Sequence, residues 1–107
     1  MNADAVSPAA LLERIDRGDA PLVLDVRSAG EFAAGHVPGA VHVPFTSVIA
    51  GFHDVPAKET DALVVYCGHG PRAWLAGAAL RRRGYARVMY LRGHMKAWRR
   101  AGLREQR

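Results

Sequence analysis

The only cysteine of the chain, Cys67, stands where an apolar run meets a glycine-rich turn. Residues 64 to 73 read VVYCGHGPRA, so two glycines, a proline and Arg72 follow the thiol before a helix-like stretch begins. In open α/β proteins, sites form beyond the carboxyl ends of the strands. A thiol at the end of a buried strand is therefore a candidate nucleophile.

The residues after Cys67 are of types that favour the thiolate over the thiol. Gly68 and Gly70 let the chain curl, because glycine adopts backbone angles that other residues avoid. N–H groups pointing into such a curl bind an anion, the next helix adds its positive end, and Arg72 adds a permanent charge. Histidine as a residue type can donate to an anion, so His69 is either a donor to the bound anion or an exposed spacer. The segment predicts an activated cysteine in a small anion-binding cup.

Two other interpretations of this cysteine give different chemistry or none. Free cysteine often behaves as a small buried hydrophobe, which a mid-strand position would favour, whereas a strand end before a glycine turn favours reactivity. One cysteine is too few for a structural zinc site, and the histidines lack ligand spacing. We therefore predict no metal site. The histidines are His36, His42, His53, His69 and His94.

Composition indicates one globular domain of 107 residues, half of them apolar and 23% charged. No apolar run is long enough to cross a bilayer, no secretory signal is expected from MNADAVSPAA, and a lone cysteine suits a reducing, cytoplasmic setting. The net charge is +5. The arginines occur at the ends of predicted helices without interleaved aromatic residues, so an anionic small substrate is favoured over nucleic acid.

Alternating patterns along the chain predict an α/β domain with a mainly parallel sheet and helices on both faces. Trp74 and Trp98 fall at helical spacing among apolar residues and are expected in the core or in a pocket wall. Strands are predicted at residues 22–26, 41–45, 62–67 and 87–91. Helices are predicted from Ser7-Pro8 to Gly18, from Ser28 to Gly35, from Trp74 to Gly84 and at 95–101, with one or two helical turns at 46–53.

Several short motifs of the chain together resemble the rhodanese-like sulfurtransferases, in particular a single-domain rhodanese. CGHGPR at 67–72 resembles the family's C-x-x-G-x-R active loop. The other matching segments are Asp25-Val26-Arg27, Glu31-Phe32, GHVPGA at 35–40, and LRGH at 91–94 followed by Trp98. The resemblance places the domain at residues 5–102, followed by a short basic C-terminal tail at 103–107. Three positions depart from the pattern, namely Pro71, which has no N–H, Ala73 in place of a frequent serine, and His94 at the second glycine of the closing motif.

The resemblance implies a sulfurtransferase in which Cys67 is the catalytic nucleophile. Its thiolate takes a sulfane sulfur from thiosulfate or a persulfide donor, becomes a persulfide, and passes the sulfur to cyanide or a thiol. Arg72, Gly68, His69 and Gly70 would bind the anionic donor, and no metal or organic cofactor is implied. A protein is a possible sulfur acceptor, and no nucleic acid or membrane partner is implied.

The remaining motif residues are interpreted as scaffold. Asp25 and Arg27 lie at a strand end and are expected to tie strand to loop through an ion pair rather than to react. Glu31 has capping-box spacing from Ser28. Trp74, like Asp25 and Arg27, is a candidate for the pocket or its support.

Two alternative functions are weighed against sulfur transfer. One is a rhodanese-like carrier, binding or regulatory module with little catalysis of its own. The other is a cysteine phosphatase or arsenate reductase, which the resemblance disfavours because those loops place five residues between cysteine and arginine. Here the residue that would have to be arginine is Ala73.

Overall fold

Five parallel strands form a single sheet in the computed structural model, which describes residues 4–51 and 55–107. In spatial order the strands run β1-β5-β4-β2-β3. Their bounds are β1 Ala5–Val6, β2 Leu22–Asp25, β3 Val41–His42, β4 Leu63–Tyr66 and β5 Val88–Leu91. The predicted α/β class and parallel sheet are confirmed. β1 was not predicted, because a strand of two residues, paired with the end of β5, is too short to show a periodic pattern.

Five helices pack on the sheet, and their ends follow the chemistry of their caps. Ser7 Oγ accepts from Ala10 N at the start of α1, and Gly18 ends that helix in the left-handed region. The helix bounds are α1 Pro8–Arg17, α2 Ala29–Ala34, α3 Phe45–Ala50, α4 Pro71–Arg82 and α5 His94–Arg100. Within residues 4–51 and 55–107, none of them has both the length and the apolar character that a bilayer crossing requires.

Successive residues of the central strands point to opposite faces of the sheet and so belong to two separate apolar clusters, one on each face. Leu24 and Val65 belong to the cluster that includes Val48 of α3 and Leu80 of α4. On the other face, Val23, Val64 and Tyr66 pack with residues of α1 and α5, including Leu11, Met95 and Trp98. The prediction of helices on both faces is confirmed.

The strand predicted at 41–45 is shorter than expected. Only Val41–His42 pairs as β3, and α3 already begins at Phe45, with Pro44 as its N-cap. Proline has no N–H to donate to a sheet and suits the entrance of a helix, so it ends the strand there. The helical turns predicted at 46–53 are found as α3, one residue earlier, while residues 52–54 lie outside the described residues.

The last residues of the chain return to the domain. Backbone N–H and C=O groups of His36 and Gln106 exchange two hydrogen bonds of 2.9 Å. The indole of Trp98 donates to the carbonyl of Arg104 at 3.0 Å, and Arg104 pairs with Asp16. The segment 103–107 therefore lies against α1, α5 and the 35–39 turn, and the boundary at residue 102 stays a prediction.

Candidate active site

The carboxyl ends of three neighbouring strands bring the candidate residues to one edge of the sheet. β2 ends at Asp25, two residues before Arg27, and β4 ends at Tyr66, directly before Cys67. β5, on the other side of β4, ends at Leu91, three residues before His94. Because the strands are parallel, these ends meet at the same edge, where ligand sites form in such sheets.

The loop after β4 curls around the Cys67 sulfur. Gly70 adopts φ 138°, a backbone conformation that favours glycine, and its N–H donates to Sγ of Cys67 at 3.0 Å. Pro71 follows as the first residue of α4 and contributes no N–H. Gly70 thus supplies the one loop N–H that reaches the sulfur in the described part of the chain.

The base of the loop is held by the start of α5. The N–H groups of Met95 and Lys96 donate to the carbonyls of Cys67 and Gly68, at 3.0 and 3.1 Å. The N–H of Cys67 itself donates to Nδ1 of His94 at 3.3 Å. The N–H and the C=O of Cys67 and the C=O of Gly68 are therefore all bonded to the first residues of α5. The position of the thiol depends on that helix.

Cys67 has no exposed surface in this conformation. It belongs to the same buried cluster as Val26, Val65 and Ala73. Any reagent therefore reaches the sulfur only when the loop or the side chains above it move.

Arg72 reaches back across the loop to Glu31 of α2. Its guanidinium donates to both carboxylate oxygens, at 2.6 and 3.2 Å. A Cβ placed on Gly68 would lie 3.3 Å from the nearest guanidinium nitrogen, so the charge of Arg72 lies directly against the loop. The hydrogen bond from Arg72 lowers the pKa of Glu31 to about 2, and the bond from the Ser28 backbone acts in the same direction.

Glu31 also completes the capping box of α2. Its Oε1 accepts from the N–H of Ser28 at 3.0 Å, while Ser28 Oγ accepts from the Glu31 N–H at 3.2 Å. The cap was predicted from spacing. The link to Arg72 was not, because no local pattern relates two residues 41 positions apart.

A buried polar network lies beside the loop, at the end of β2. Arg27 donates to the Asp25 carboxylate through Nε and Nη2, the shortest bond being 2.7 Å, and both residues are almost fully buried. Tyr66 donates its hydroxyl proton to Asp25 at 2.7 Å and accepts from the N–H of Val37. Arg27 Nη2 also donates to the Gly35 carbonyl.

The charges of this network stabilise one another. Burial alone would lower the pKa of Arg27, but its hydrogen bonds to Asp25 outweigh that and raise it. Burial raises the pKa of Tyr66, and the negative charge of Asp25 raises it further. The phenol therefore stays a hydrogen-bond donor, and Asp25 and Arg27 form a closed pair that ties β2 to the turn at Gly35.

Two cavities flank the loop. One, of about 470 Å³, is lined by Arg27, Glu31, Gly68, His69, Met95, Lys96 and Arg99. The other, of about 740 Å³, includes Trp74, Arg92 and His94 in its wall. His69 is exposed at the first, and Trp74, 65% exposed, lines the second rather than lying in the core as Trp98 does. Lys96 and His94 are additions that the motifs did not mark as site residues.

Similarity to known proteins agrees with this geometry. The chain matches the rhodanese-like domain over residues 7–101. It is 37% identical over 93 residues to a sulfurtransferase of Allochromatium vinosum, covering 87% of this chain and 85% of that protein. It is also 37% identical over 84 residues to the thiosulfate sulfurtransferase GlpE of Pseudomonas fluorescens, covering 78% of this chain and 74% of that one.

A solved structure extends the likeness to three dimensions. The human single-domain sulfurtransferase TSTD1 superposes with a TM-score of 0.78 at 28% identity, covering 91% of this chain and 96% of that one. The chain belongs to the rhodanese-like domain family.

Proposed function

We propose that the protein is a sulfurtransferase that moves a sulfane sulfur from thiosulfate or a persulfide donor to cyanide or a thiol, with Cys67 as the nucleophile. The observation that carries the proposal is the position of Cys67 Sγ at the end of β4, where it accepts the Gly70 N–H while the Arg72 guanidinium lies against the same loop. Family membership supports the reaction class.

The proposed reaction is two displacements at sulfur. The Cys67 thiolate attacks the outer sulfur of thiosulfate, the sulfur–sulfur bond of the donor breaks, and sulfite leaves with the electron pair. The acceptor then attacks the outer sulfur of the persulfide, and the Cys67 thiolate leaves. Each step forms one bond to sulfur and breaks one, so no external oxidant, reductant or cofactor is consumed. The Gly70 N–H stabilises negative charge on Cys67 sulfur in both steps.

The donor is expected to enter from the cavity lined by Gly68 and His69. Among the cations of its wall, Arg27 is balanced by Asp25 and Arg99 by Glu105. Lys96 has no carboxylate partner within residues 4–51 and 55–107, so it is the lining cation whose charge is available to an anion. Arg72 would release the Glu31 carboxylate and bind the anionic end of the donor in its place. The oxygens of a planar carboxylate and those of a tetrahedral thiosulfate can both accept hydrogen bonds from a guanidinium.

The test is cyanide-dependent release of thiocyanate from thiosulfate by the wild type and the Cys67→Ala variant. We expect the variant to fall to the uncatalysed rate, because no other thiol is present in the chain. A matched thermal unfolding curve for the variant shows that it is folded. Equal rates for the two proteins would end the proposal.

The complete burial of Cys67 favours a second candidate function, a carrier or docking module with little turnover of its own. The two functions differ in the fate of the persulfide. A carrier would load sulfur from a donor but release it to small acceptors no faster than a simple alkyl persulfide does. A sulfurtransferase would turn over repeatedly with cyanide.

A further inference from the structure

His94 is held in a backbone conformation that non-glycine residues seldom adopt. Its φ is +57°, the only positive value for a residue other than glycine in the segments 4–51 and 55–107. The side chain is nevertheless buried, with 6% of its surface exposed. Strained backbone of this kind persists only where the surrounding structure holds it, and it clusters at functional sites.

The contacts of the imidazole show what holds it. Its Nδ1 accepts the hydrogen bond from the Cys67 N–H at 3.3 Å. A backbone N–H can only donate, so Nδ1 is the unprotonated nitrogen, and the neutral ring carries its proton on Nε2. Nε2 lies beside Gly70, only 3.6 Å from where a Cβ on that residue would be. The ring therefore spans from the Cys67 backbone to the residue whose N–H donates to the sulfur.

We infer that His94 is a positioning residue for sulfur transfer, whose neutral imidazole fixes the Cys67 amide and supports Gly70 around the reacting sulfur. The inference rests on the proposed function for its kinetic consequence, but the contact itself does not. When the ring gains a proton, Nδ1 becomes a donor and faces the Cys67 N–H donor to donor. The hydrogen bond is lost, and the loop no longer holds the sulfur in one place.

The surroundings of the ring keep it neutral near neutral pH. Burial lowers the pKa of His94, and the nearby His69 lowers it further. The titratable and charged groups around it are Cys67 and His69 on the loop, Arg92 beside it, Lys96 on its own helix, and Asp4, Arg81 and Tyr90 across the shared cavity. Burial and His69 thus lower the pKa of His94, while a thiolate at Cys67, as the proposed function requires, would act in the opposite direction.

Two substitutions separate the backbone strain from the hydrogen bond. The His94→Gly variant relieves the left-handed backbone but leaves the Cys67 N–H without its acceptor. The His94→Asn variant keeps the left-handed backbone, which asparagine tolerates. It also keeps an acceptor for the Cys67 N–H, because the carboxamide oxygen lies near the position of Nδ1. Asparagine does not titrate. Both changes leave the thiol and Arg72 in place.

The kinetic test measures thiocyanate release for the three proteins across the acidic range. Wild type should lose activity as the pH falls through the ionisation of His94, in addition to any loss from thiol protonation. The His94→Asn variant should keep wild-type activity at neutral pH to within about threefold and lack that ionisation, whereas His94→Gly should be slower by about tenfold or more, as for a misplaced reacting group. A His94→Gly variant with the wild-type rate and pH profile would overturn the inference.

A second measurement decides the contact without any assay of activity. In nitrogen-15 spectra of the full chain, His94 should show the tautomer protonated on Nε2, and the Cys67 amide proton should shift as His94 titrates. A tautomer protonated on Nδ1, or a Cys67 amide indifferent to that titration, would overturn the inference even if sulfur transfer is observed. If these shifts appear but no sulfur is transferred, the contact stands and the proposed function fails.

Discussion

At the scale of single residues, Glu31 links two parts of the site that are distant in sequence. Its carboxylate caps α2 through Ser28 and also accepts both arms of the Arg72 guanidinium. The same guanidinium is the group expected to meet an anionic donor. Glu31 therefore balances the charge of Arg72 when no donor is bound, and it competes with the donor for the same nitrogens.

The Glu31→Gln variant should be less stable than wild type at neutral pH, by about 1 kcal/mol or less because the ion pair is partly exposed. The pKa of Glu31 is about 2 in the folded protein against an ordinary value of 4.5. Between pH 2 and pH 4.5 the Glu31 carboxylate binds more protons in the unfolded state than in the folded state. The stabilisation from the ion pair is therefore complete above about pH 4.5 and is lost as the pH falls towards 2. Urea unfolding from pH 6 to about pH 3 should show the difference between the two proteins shrinking.

Glu13→Gln is the matched control for this prediction. Glu13 forms an exposed pair with Arg17 within α1, far from the loop, and its substitution should change stability little at any of these pH values. A stability difference for Glu31→Gln that does not vary with pH would contradict the ion-pair account.

Contacts near the site could be predicted from the sequence where the two residues are close neighbours in the chain, but not where they are far apart. The turn at Gly70, the capping box and the pairing of Asp25 with Arg27 all follow from neighbours within a few positions. The bond from Cys67 to His94 joins residues 27 positions apart. No local pattern encodes such a contact, because it exists only once β4 and β5 lie side by side.

At the scale of elements, a glycine inside α4 sets how closely that helix approaches β5. A Cβ placed on Gly77 would collide with the hydroxyl and ring of Tyr90. Tyr90 in turn accepts from Arg81 at 3.0 Å, one turn further along the same helix. The missing side chain at Gly77 thus lets α4, the helix that follows the active loop, pack directly on the sheet.

The Gly77→Ala variant should be less stable than wild type despite the better helix propensity of alanine. Alanine is favoured over glycine in a helix by about 1 kcal/mol, but an overpacked contact costs about 1 to 3 kcal/mol, so we expect a net loss of about 1 kcal/mol. Urea unfolding measures the difference in the free energy of unfolding between Gly77→Ala and wild type. In a Tyr90→Phe background, which lacks the hydroxyl that a Cβ on Gly77 would meet first, the loss of stability should be smaller.

Gly30→Ala in α2 serves as the control, because a Cβ there meets nothing within 4 Å. That change should stabilise the protein by about 0.4 to 1 kcal/mol. If both alanine variants gained stability, the close packing of α4 on β5 would be refuted.

The longer elements could be predicted because their signals are local. α1 and α2 begin at the Ser-Pro and Ser-x-x-Glu patterns from which they were predicted, and β4 is a continuous apolar run. α4 begins at Pro71, three residues before the predicted start at Trp74. β1 and β3, with two residues each, were missed or overextended. Their hydrogen bonds come from the neighbouring strand rather than from any preference of their own residues, so the sequence pattern carries little trace of them.

At the scale of the whole molecule, the +5 charge is spread over a surface on which many basic side chains are paired. Arg14 and Arg17 pair with Asp19, Arg99 with Glu105, and Arg104 with Asp16. At the loop itself, Lys96 lines the cavity beside Gly68 and pairs with no carboxylate in the described part of the chain. The excess charge thus suits attraction of a small anion to the loop edge of the sheet.

The central claim is that Cys67 carries the sulfur during transfer. The most direct test is intact mass spectrometry of the protein after incubation with thiosulfate, followed by peptide mapping. We predict a gain of one sulfur atom confined to Cys67, removed by cyanide and absent from the Cys67→Ala variant. A wild-type mass unchanged by thiosulfate and by persulfide donors, or a sulfur gain that persists in the variant, would contradict the account.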